Sequence, residues 1–276
     1  MRPPAIERMG YYPTDEPVVE IIRTYLKPPS ERGRLFDPCA GEGKAASSLG
    51  NALNCETWGV ELSPERAGKA QNVMDKVFQA PWQACVLSDE SISWLYLNPP
   101  YDFDRFEGHP TQGSGAGKRL EWDFLKTTSS KLMRGGLLTY IIPQKILGMI
   151  EFARLLAGHY EAITVYRFPD GLYEKFKQVV VLAYKRKLYQ LPTDKEVLSL
   201  QSLASIELEP IQSAVEPIYQ LLPAPLRGAN GKPIVFKRTD WEPEEVVEAT
   251  QEAGVHKTSD WLDLIRPTRG LAQLSQ

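Results

Sequence analysis

Asn98-Pro99-Pro100-Tyr101 follows the apolar run Trp94-Leu95-Tyr96-Leu97. The two prolines fix two backbone φ angles and remove two N–H donors. Asn98 precedes a proline and is pushed towards extended geometry. Its side-chain oxygen and the neighbouring main-chain carbonyls can then accept hydrogen bonds from one amino group. Tyr101 offers a flat face for stacking. These parts suit a planar substrate with an exocyclic or amide nitrogen. A plain rigid turn after a strand uses the same prolines, so the reading depends on what the chain places beside them.

A second candidate is Asp37-Pro38-Cys39-Ala40-Gly41-Glu42-Gly43. It follows a short strand at 34–36 and opens a helix at 44–53. Open α/β sheets bind ligands at the carboxyl ends of their strands, at the switch point. Gly41 and Gly43 let backbone N–H groups approach a ligand closely. Neither the dinucleotide fingerprint nor the P-loop spacing is met here, and residues 113–118 miss the P-loop too. Asp37 and Glu42 supply acid where a phosphate binder needs base, which suits a cationic or hydroxyl-rich ligand. Glu61 closes a second strand at 57–60. It lies about 20 residues past the glycine turn, the spacing of an acid that hydrogen-bonds ribose hydroxyls.

The surrounding elements alternate. Helix is expected at 17–26, with Asp15 as cap and Val18, Ile21, Ile22 and Leu26 on one face. Another starts at Ser63-Pro64 and runs to about residue 76. A weak strand at 77–78 and a strong one at 94–97 follow. A long polar loop, 102–119, leads to helix 120–133, ended by Gly135-Gly136. Strand 137–142, helix 146–156 and strands 163–168 and 179–184 complete the pattern, the last two joined through Pro169-Asp170-Gly171. Alternating strands and helices predict a doubly wound, mostly parallel α/β sheet. The two closely spaced final strands predict one antiparallel member near an edge. Beyond residue 186 the texture changes to short bursts of Pro, Gln, Ser and Leu, with a strand or hairpin arm at 232–241 and a helix at 243–253. The expected organisation is a domain over 1–186, whose residues 1–30 form an arm and helix, and a small accessory region over 187–276.

The chain has 276 residues, a formal net charge of −3, and 42% hydrophobic and 24% charged residues, the profile of an ordinary globular protein. A strongly basic duplex-binding module is excluded, so nucleic-acid contact would rest on local patches. One such patch is Arg105, Lys118 and Arg119; another is Lys175, Lys177, Lys185, Arg186 and Lys187. Solvated surface charge is the competing reading of both. Cys39, Cys55 and Cys85 fit neither a disulfide framework nor a zinc motif, which predicts a reducing, cytoplasmic setting and no metal. No run reaches transmembrane length, and the first ten residues lack a signal-peptide layout. His109, His159 and His256 lie outside the motifs and read as surface residues.

Taken together, Asp37 to Gly43, Glu61 and Asn98-Pro99-Pro100-Tyr101 resemble motifs I, II and IV of class I S-adenosylmethionine-dependent methyltransferases. More narrowly, they resemble the gamma-type enzymes that methylate N6 of adenine in DNA. Gly10-Tyr11-Tyr12-Pro13-Thr14 resembles the arm motif that packs over the cofactor, with Pro and Thr exchanged. Phe176-Lys177-Gln178-Val179-Val180-Val181 resembles the motif whose aromatic ring packs on the extruded base. The likeness covers about residues 10–186 and implies a seven-stranded Rossmann-like sheet. It implies S-adenosylmethionine at Tyr12, Thr14, Asp37, Pro38, Cys39, Ala40, Gly41, Gly43, Glu61 and Asn98. It also implies catalysis by Asn98, Pro99, Pro100 and Tyr101, and substrate contact by Phe176, Arg105 and Lys177. Where that family places an acid near the cofactor adenine, this chain has Trp82, either stacking on that ring or serving as a core residue. The implied partner is nucleic acid, DNA before RNA, in the setting of DNA methylation or restriction-modification. The same clamp occurs in enzymes acting on guanine amines in RNA and on glutamine amides in protein. A non-catalytic binding module of the same fold is the alternative from another class.

Overall fold

The computed structural model describes residues 12–100 and 120–239. Tyr101, Arg105, the remainder of the loop to residue 119, and the helix expected at 243–253 lie outside the described residues.

In chain order the elements are α1 (Glu16–Thr24), β1 (Leu26–Lys27), β2 (Gly33–Asp37), α2 (Lys44–Ala52), β3 (Cys55–Glu61), α3 (Pro64–Gln71), β4 (Lys76–Gln79), β5 (Cys85–Leu87) and β6 (Ile92–Leu97). After the undescribed loop come α4 (Leu120–Thr128), β7 (Leu132–Pro143), α5 (Ile150–His159), β8 (Tyr160–Arg167), α6 (Tyr173–Phe176) and β9 (Gln178–Lys185). The described chain finishes with α7 (Asp194–Ser202), β10 (Tyr219–Gln220) and β11 (Phe236–Arg238).

Seven strands form the central sheet in the order β4-β3-β2-β6-β7-β9-β8. All neighbours are parallel except β9, which runs antiparallel to both β7 and β8. The doubly wound, mostly parallel sheet and its single reversed strand beside the edge are therefore as the sequence implies. The alternation of side chains builds the two core layers. Phe36, Leu95, Leu97, Val179 and Val181 face one layer with Leu125 of α4 and Phe152 and Leu156 of α5. Leu35, Trp94, Tyr96, Val180 and Leu182 face the other with Val18, Val19 and Ile22 of α1 and Leu49 of α2. Every residue of β6 is buried, as a central strand covered on both faces requires.

Several boundaries differ from the sequence expectation, each for a local reason. Helix α3 ends at Gln71 rather than near residue 76. Asp75 is drawn away from helical geometry because its carboxylate accepts from Thr57 N and Oγ1. Helix α4 ends at Thr128, and Gly135 and Gly136 lie inside β7 instead of capping a helix. A Cβ on Gly136 would stand 3.0 Å from the Ser93 carbonyl oxygen, so glycine serves close strand approach there. The expected helix at 146–156 starts as a 3-10 turn, Gln144–Gly148, before α5. Asp15 supplies its backbone carbonyl, not its side chain, to the first turn of α1.

The segment after residue 186 is held to the sheet domain at several points. Helix α7 packs on α5. Strand β10 pairs with β1 and β11 with β5, a strand the sequence pattern did not reveal. Phe236 on β11 enters the first core layer, 5.1 Å from the Trp58 ring, 4.7 Å from Phe78 and 5.6 Å from Phe36. Truncating this nearly buried ring removes contacts to three aromatic neighbours. Phe236→Ala is expected to cost about 3 kcal/mol, read as a lower urea midpoint with an unchanged m-value.

Candidate functional site

Strand order reverses between β2 and β6, because the chain leaves β2 for β3 and β4 on one side and later returns to β6 on the other. Their carboxyl ends, Asp37 and Leu97, open on one crevice, the usual ligand position in such sheets. The register that pairs Leu35 with Trp94 and Phe36 with Leu95 sets the two ends side by side.

Beyond β2 the chain turns tightly. Asp37 Oδ1 accepts from Cys39 N at 3.0 Å, Ala40 N donates to the Val60 carbonyl at 2.9 Å, and Gly43 N donates to Ala40 O at 2.9 Å. Gly41 and Gly43 have φ of 57° and 77°, the left-handed region where a side chain is strained. A Cβ on Gly43 would also stand 3.0 Å from Ala70 Cα. Glu61, buried at the end of β3, ties this turn to the next. Its Oε2 accepts from Gly41 N at 2.8 Å, and its Oε1 from Ser63 N at 2.8 Å and from Arg66 Nη2 at 2.7 Å. Glu42 faces outward, and Lys44 and Lys69 hold its carboxyl at about 2.

Asp37 carries no such cation among the described residues. Burial pushes its carboxyl up to about 7, against the opposing hydrogen bonds from Cys39, and the charge of Glu61 adds to the rise. Burial likewise drives the Cys39 thiol well above its ordinary value, while the Asn98 backbone beside it works the other way. The β2 turn therefore lies against the residue that follows β6. Pro38 is buried; Cys39 and Ala40 are half-buried.

Asn98 is held from the other side by the N-terminal arm. Its Nδ2 donates to the Tyr12 carbonyl at 2.8 Å and to Thr14 Oγ1 at 3.1 Å. A backbone carbonyl only accepts, so the amide orientation is fixed by chemistry. With both amide hydrogens directed at the arm, the group Asn98 can turn to a substrate is the acceptor Oδ1. Thr14 Oγ1 in turn lies 2.6 Å from the hydroxyl of Tyr96, a buried residue of β6. Pro99 is buried and Pro100 half-buried. The Tyr12 ring lies 4.5 Å from that of Phe176, at the end of α6. The structure thus brings together Tyr12, Thr14, Cys39, Asn98 and Phe176, with Asp37, Gly41 and Glu61 along the adjoining turn.

Other candidates lie elsewhere. Trp82 is 6% exposed, its ring 5.3 Å from Phe36 and its indole N–H bonded to Thr127 Oγ1 at 2.9 Å. Its side chain is packed in the core beside Phe36. Lys177 is exposed at the head of β9, its Nζ 4.6 Å from the centroid of Tyr173. Lys185 is removed from the basic patch, since its Nζ bonds the Ser129 and Leu132 carbonyls and burial lowers its pKa. Arg186 pairs with Glu161 at 3.0 Å. The sequence reading missed Arg66 and Tyr96. Tyr96 was legible from period-two alternation, which puts it on the same strand face as Asn98. Arg66 had no signal beyond its place in the first turn of α3.

No curated protein matches the chain. Among solved structures, a Listeria monocytogenes protein assigned as a class I S-adenosylmethionine-dependent methyltransferase is 16% identical, with 68% of this chain and 69% of that one covered and a TM-score of 0.48. A Pyrococcus furiosus methyltransferase is 16% identical, over 64% and 87% of the two chains, with a TM-score of 0.44. A Thiobacillus denitrificans S-adenosylmethionine-dependent methyltransferase, solved with S-adenosyl-L-homocysteine, is 10% identical over 69% and 100%, with a TM-score of 0.41. Likeness at this level says nothing of substrate. The model of the uncharacterised methyltransferase family DUF6094 matches residues 5–223, most of the chain, and the chain belongs to that family.

Proposed function

We propose that this chain transfers a methyl group from S-adenosylmethionine to an exocyclic amine, with N6 of adenine in DNA as the acceptor. The observation that carries the reading is the Asn98 side chain, fixed by the arm at the end of the strand that pairs with β2. Family membership supports methyl transfer. The order of motifs along the chain supports an amine acceptor.

The residues of the β2 turn fit the donor. Asp37 is a buried carboxylate whose charged form lacks a cationic partner among the described residues, and it is pushed up to about 7 as a result. A ligand carrying an ammonium or sulfonium charge would supply that partner. Glu61 sits at the tip of β3, where ribose hydroxyls would meet it. When bound, S-adenosylmethionine supplies a methyl group on a positively charged sulfur, the electrophile of the reaction.

The protein's part is orientation. An aromatic amine is a weak nucleophile because its lone pair is delocalised into the ring. Asn98 Oδ1 and the Pro99 carbonyl, accepting its two N–H bonds, favour a pyramidal nitrogen with the lone pair turned to the donor. Stiffness of the clamp comes from Pro99 and Pro100, and its aim from the bonds to Tyr12 and Thr14. Phe176 stands beside Tyr12 as a stacking surface for a base turned out of a duplex, a step that costs a few kcal/mol. The methylated product is first a cation at nitrogen and is acidic, so no strong base is needed before transfer.

Incubation with methyl-labelled donor and separate DNA, RNA and protein pools tests the acceptor. Label in DNA with N6-methyladenine in the hydrolysate is expected. Label in RNA or protein alone overturns the DNA assignment, and cofactor binding without label in any pool makes the chain a binding module. Asn98→Ala is expected to lower transfer at least about 100-fold while leaving cofactor affinity nearly unchanged; equal loss of both would give the clamp a structural role. Below about pH 7, Asp37 is largely protonated in the ligand-free protein. A cation bound against it favours the carboxylate, so binding expels a proton. Cofactor affinity should therefore rise with pH by up to about tenfold per unit until that pKa is passed, then level off. Asp37→Asn should flatten this profile, which calorimetry at several pH values will show.

A further inference from the structure

A groove of about 340 Å³ runs beside the clamp, between the end of β7, helix α6 and the loop after α7. Lys145, Lys175, Phe176 and Lys177 line it, over a floor made by Gln144 and Tyr173. That floor is rigid. Gln144 Nε2 donates to the Leu203 and Ile206 carbonyls at 2.7 and 2.8 Å, and its Oε1 accepts from the Tyr173 hydroxyl. Phe176 connects the groove to the candidate site through its contact with Tyr12, whose carbonyl holds Asn98.

The charge of this groove is one-sided. Several cations elsewhere on the described surface are matched: Arg32 with Asp75, Lys69 with Glu42, Lys131 with Asp89 and Arg186 with Glu161. Lys175 and Lys177 form no ion pair among the described residues. Glu174, the acid on α6, turns its carboxylate to Gly171 N at 2.6 Å. Lys177 is also one of the few non-glycine residues with positive φ, at 51°. It is held there by two backbone bonds, from its own N–H to Tyr173 O at 2.7 Å and from Gln144 N–H to its carbonyl at 2.8 Å. A left-handed lysine costs about 1 kcal/mol or more and persists only where the surroundings enforce it. The strain sets this ammonium on the groove wall.

We propose that this groove seats the sugar-phosphate backbone of the nucleic-acid strand next to the target base, with Lys145, Lys175 and Lys177 on its phosphates. The inference rests on the proposed function and adds where the strand lies. Volume agrees with it, since the groove is of nucleotide size. The chain's overall charge of −3 means that any such binding depends on a local basic surface.

The test is salt-dependent anisotropy of a fluorescein-labelled single-stranded DNA oligonucleotide, with duplex DNA and RNA of the same sequence as parallel arms. The triple variant Lys145→Ala/Lys175→Ala/Lys177→Ala is expected to bind at least about tenfold more weakly, with a log K against log salt slope shallower by about 2 to 3. Its affinity for S-adenosylmethionine should match the unsubstituted protein. Lys177→Gly removes the charge and relieves the backbone at once. Weaker binding by this variant with no fall in thermal midpoint supports the groove and rules out misfolding as the cause. An unchanged affinity and slope in both variants, with DNA still labelled in the methyl-transfer assay, overturns the groove and leaves the function standing. Label confined to protein, with none of the three nucleic acids bound, overturns the function and the groove with it.

Discussion

Pairing of β2 with β6 is the constraint on which the site depends. It sets the end of the strand that carries Asp37 against the end of the strand that carries Asn98. The intervening chain, α2 through β5, is a large excursion that builds the outer half of the sheet before returning to that seam. Hydrophobic burial enforces the register. Trp94 and Tyr96 face one layer and Leu95 the other, so a one-residue slip would drive each set into the layer packed for the other. Holding the two ends apart by even one strand would separate Cys39 from Asn98.

Around that seam the molecule uses hydrogen bonds to convert flexible parts into fixed ones. Glu61 is the clearest case. A carboxylate between two turns accepts from the backbone of both and from the guanidinium of Arg66, so its burial is matched by charge-assisted bonds. Asp37 is the opposite case: among the described residues only Cys39 donates to it. Two acids on neighbouring strand tips thus differ in role because their donors differ. One maintains the shape of the crevice. The other keeps an unmet electrostatic demand, a common property of groups that wait for a ligand.

The sheet was legible in the sequence because its strands are short apolar runs bounded by turn residues, and because the helices between them are amphipathic. The glycine turn was legible because glycine frees the backbone in a way that does not depend on context. What could not be read were features created by partners distant in the chain. Gly135 and Gly136 look like a helix stop, yet Gly136 serves the close passage of β7 along β6 and Gly135 takes a φ of 75° within β7. Trp82 next to Pro81 gave no sign of which face it would take; Phe36 and Thr127 decide that. Lys185 read as a surface cation because nothing local announces the Ser129 and Leu132 carbonyls that hold it. Strand β5 has only three residues and exists because β11 comes back to pair with it.

That late return bears on how the protein is made. Phe236 completes an aromatic cluster whose other members, Phe36, Trp58 and Phe78, emerge from the ribosome far earlier. Contacts between such remote segments form slowly, since a long loop must close before they repay it. During most of synthesis the rings of Phe36, Trp58 and Phe78 therefore wait without the side chain that covers them.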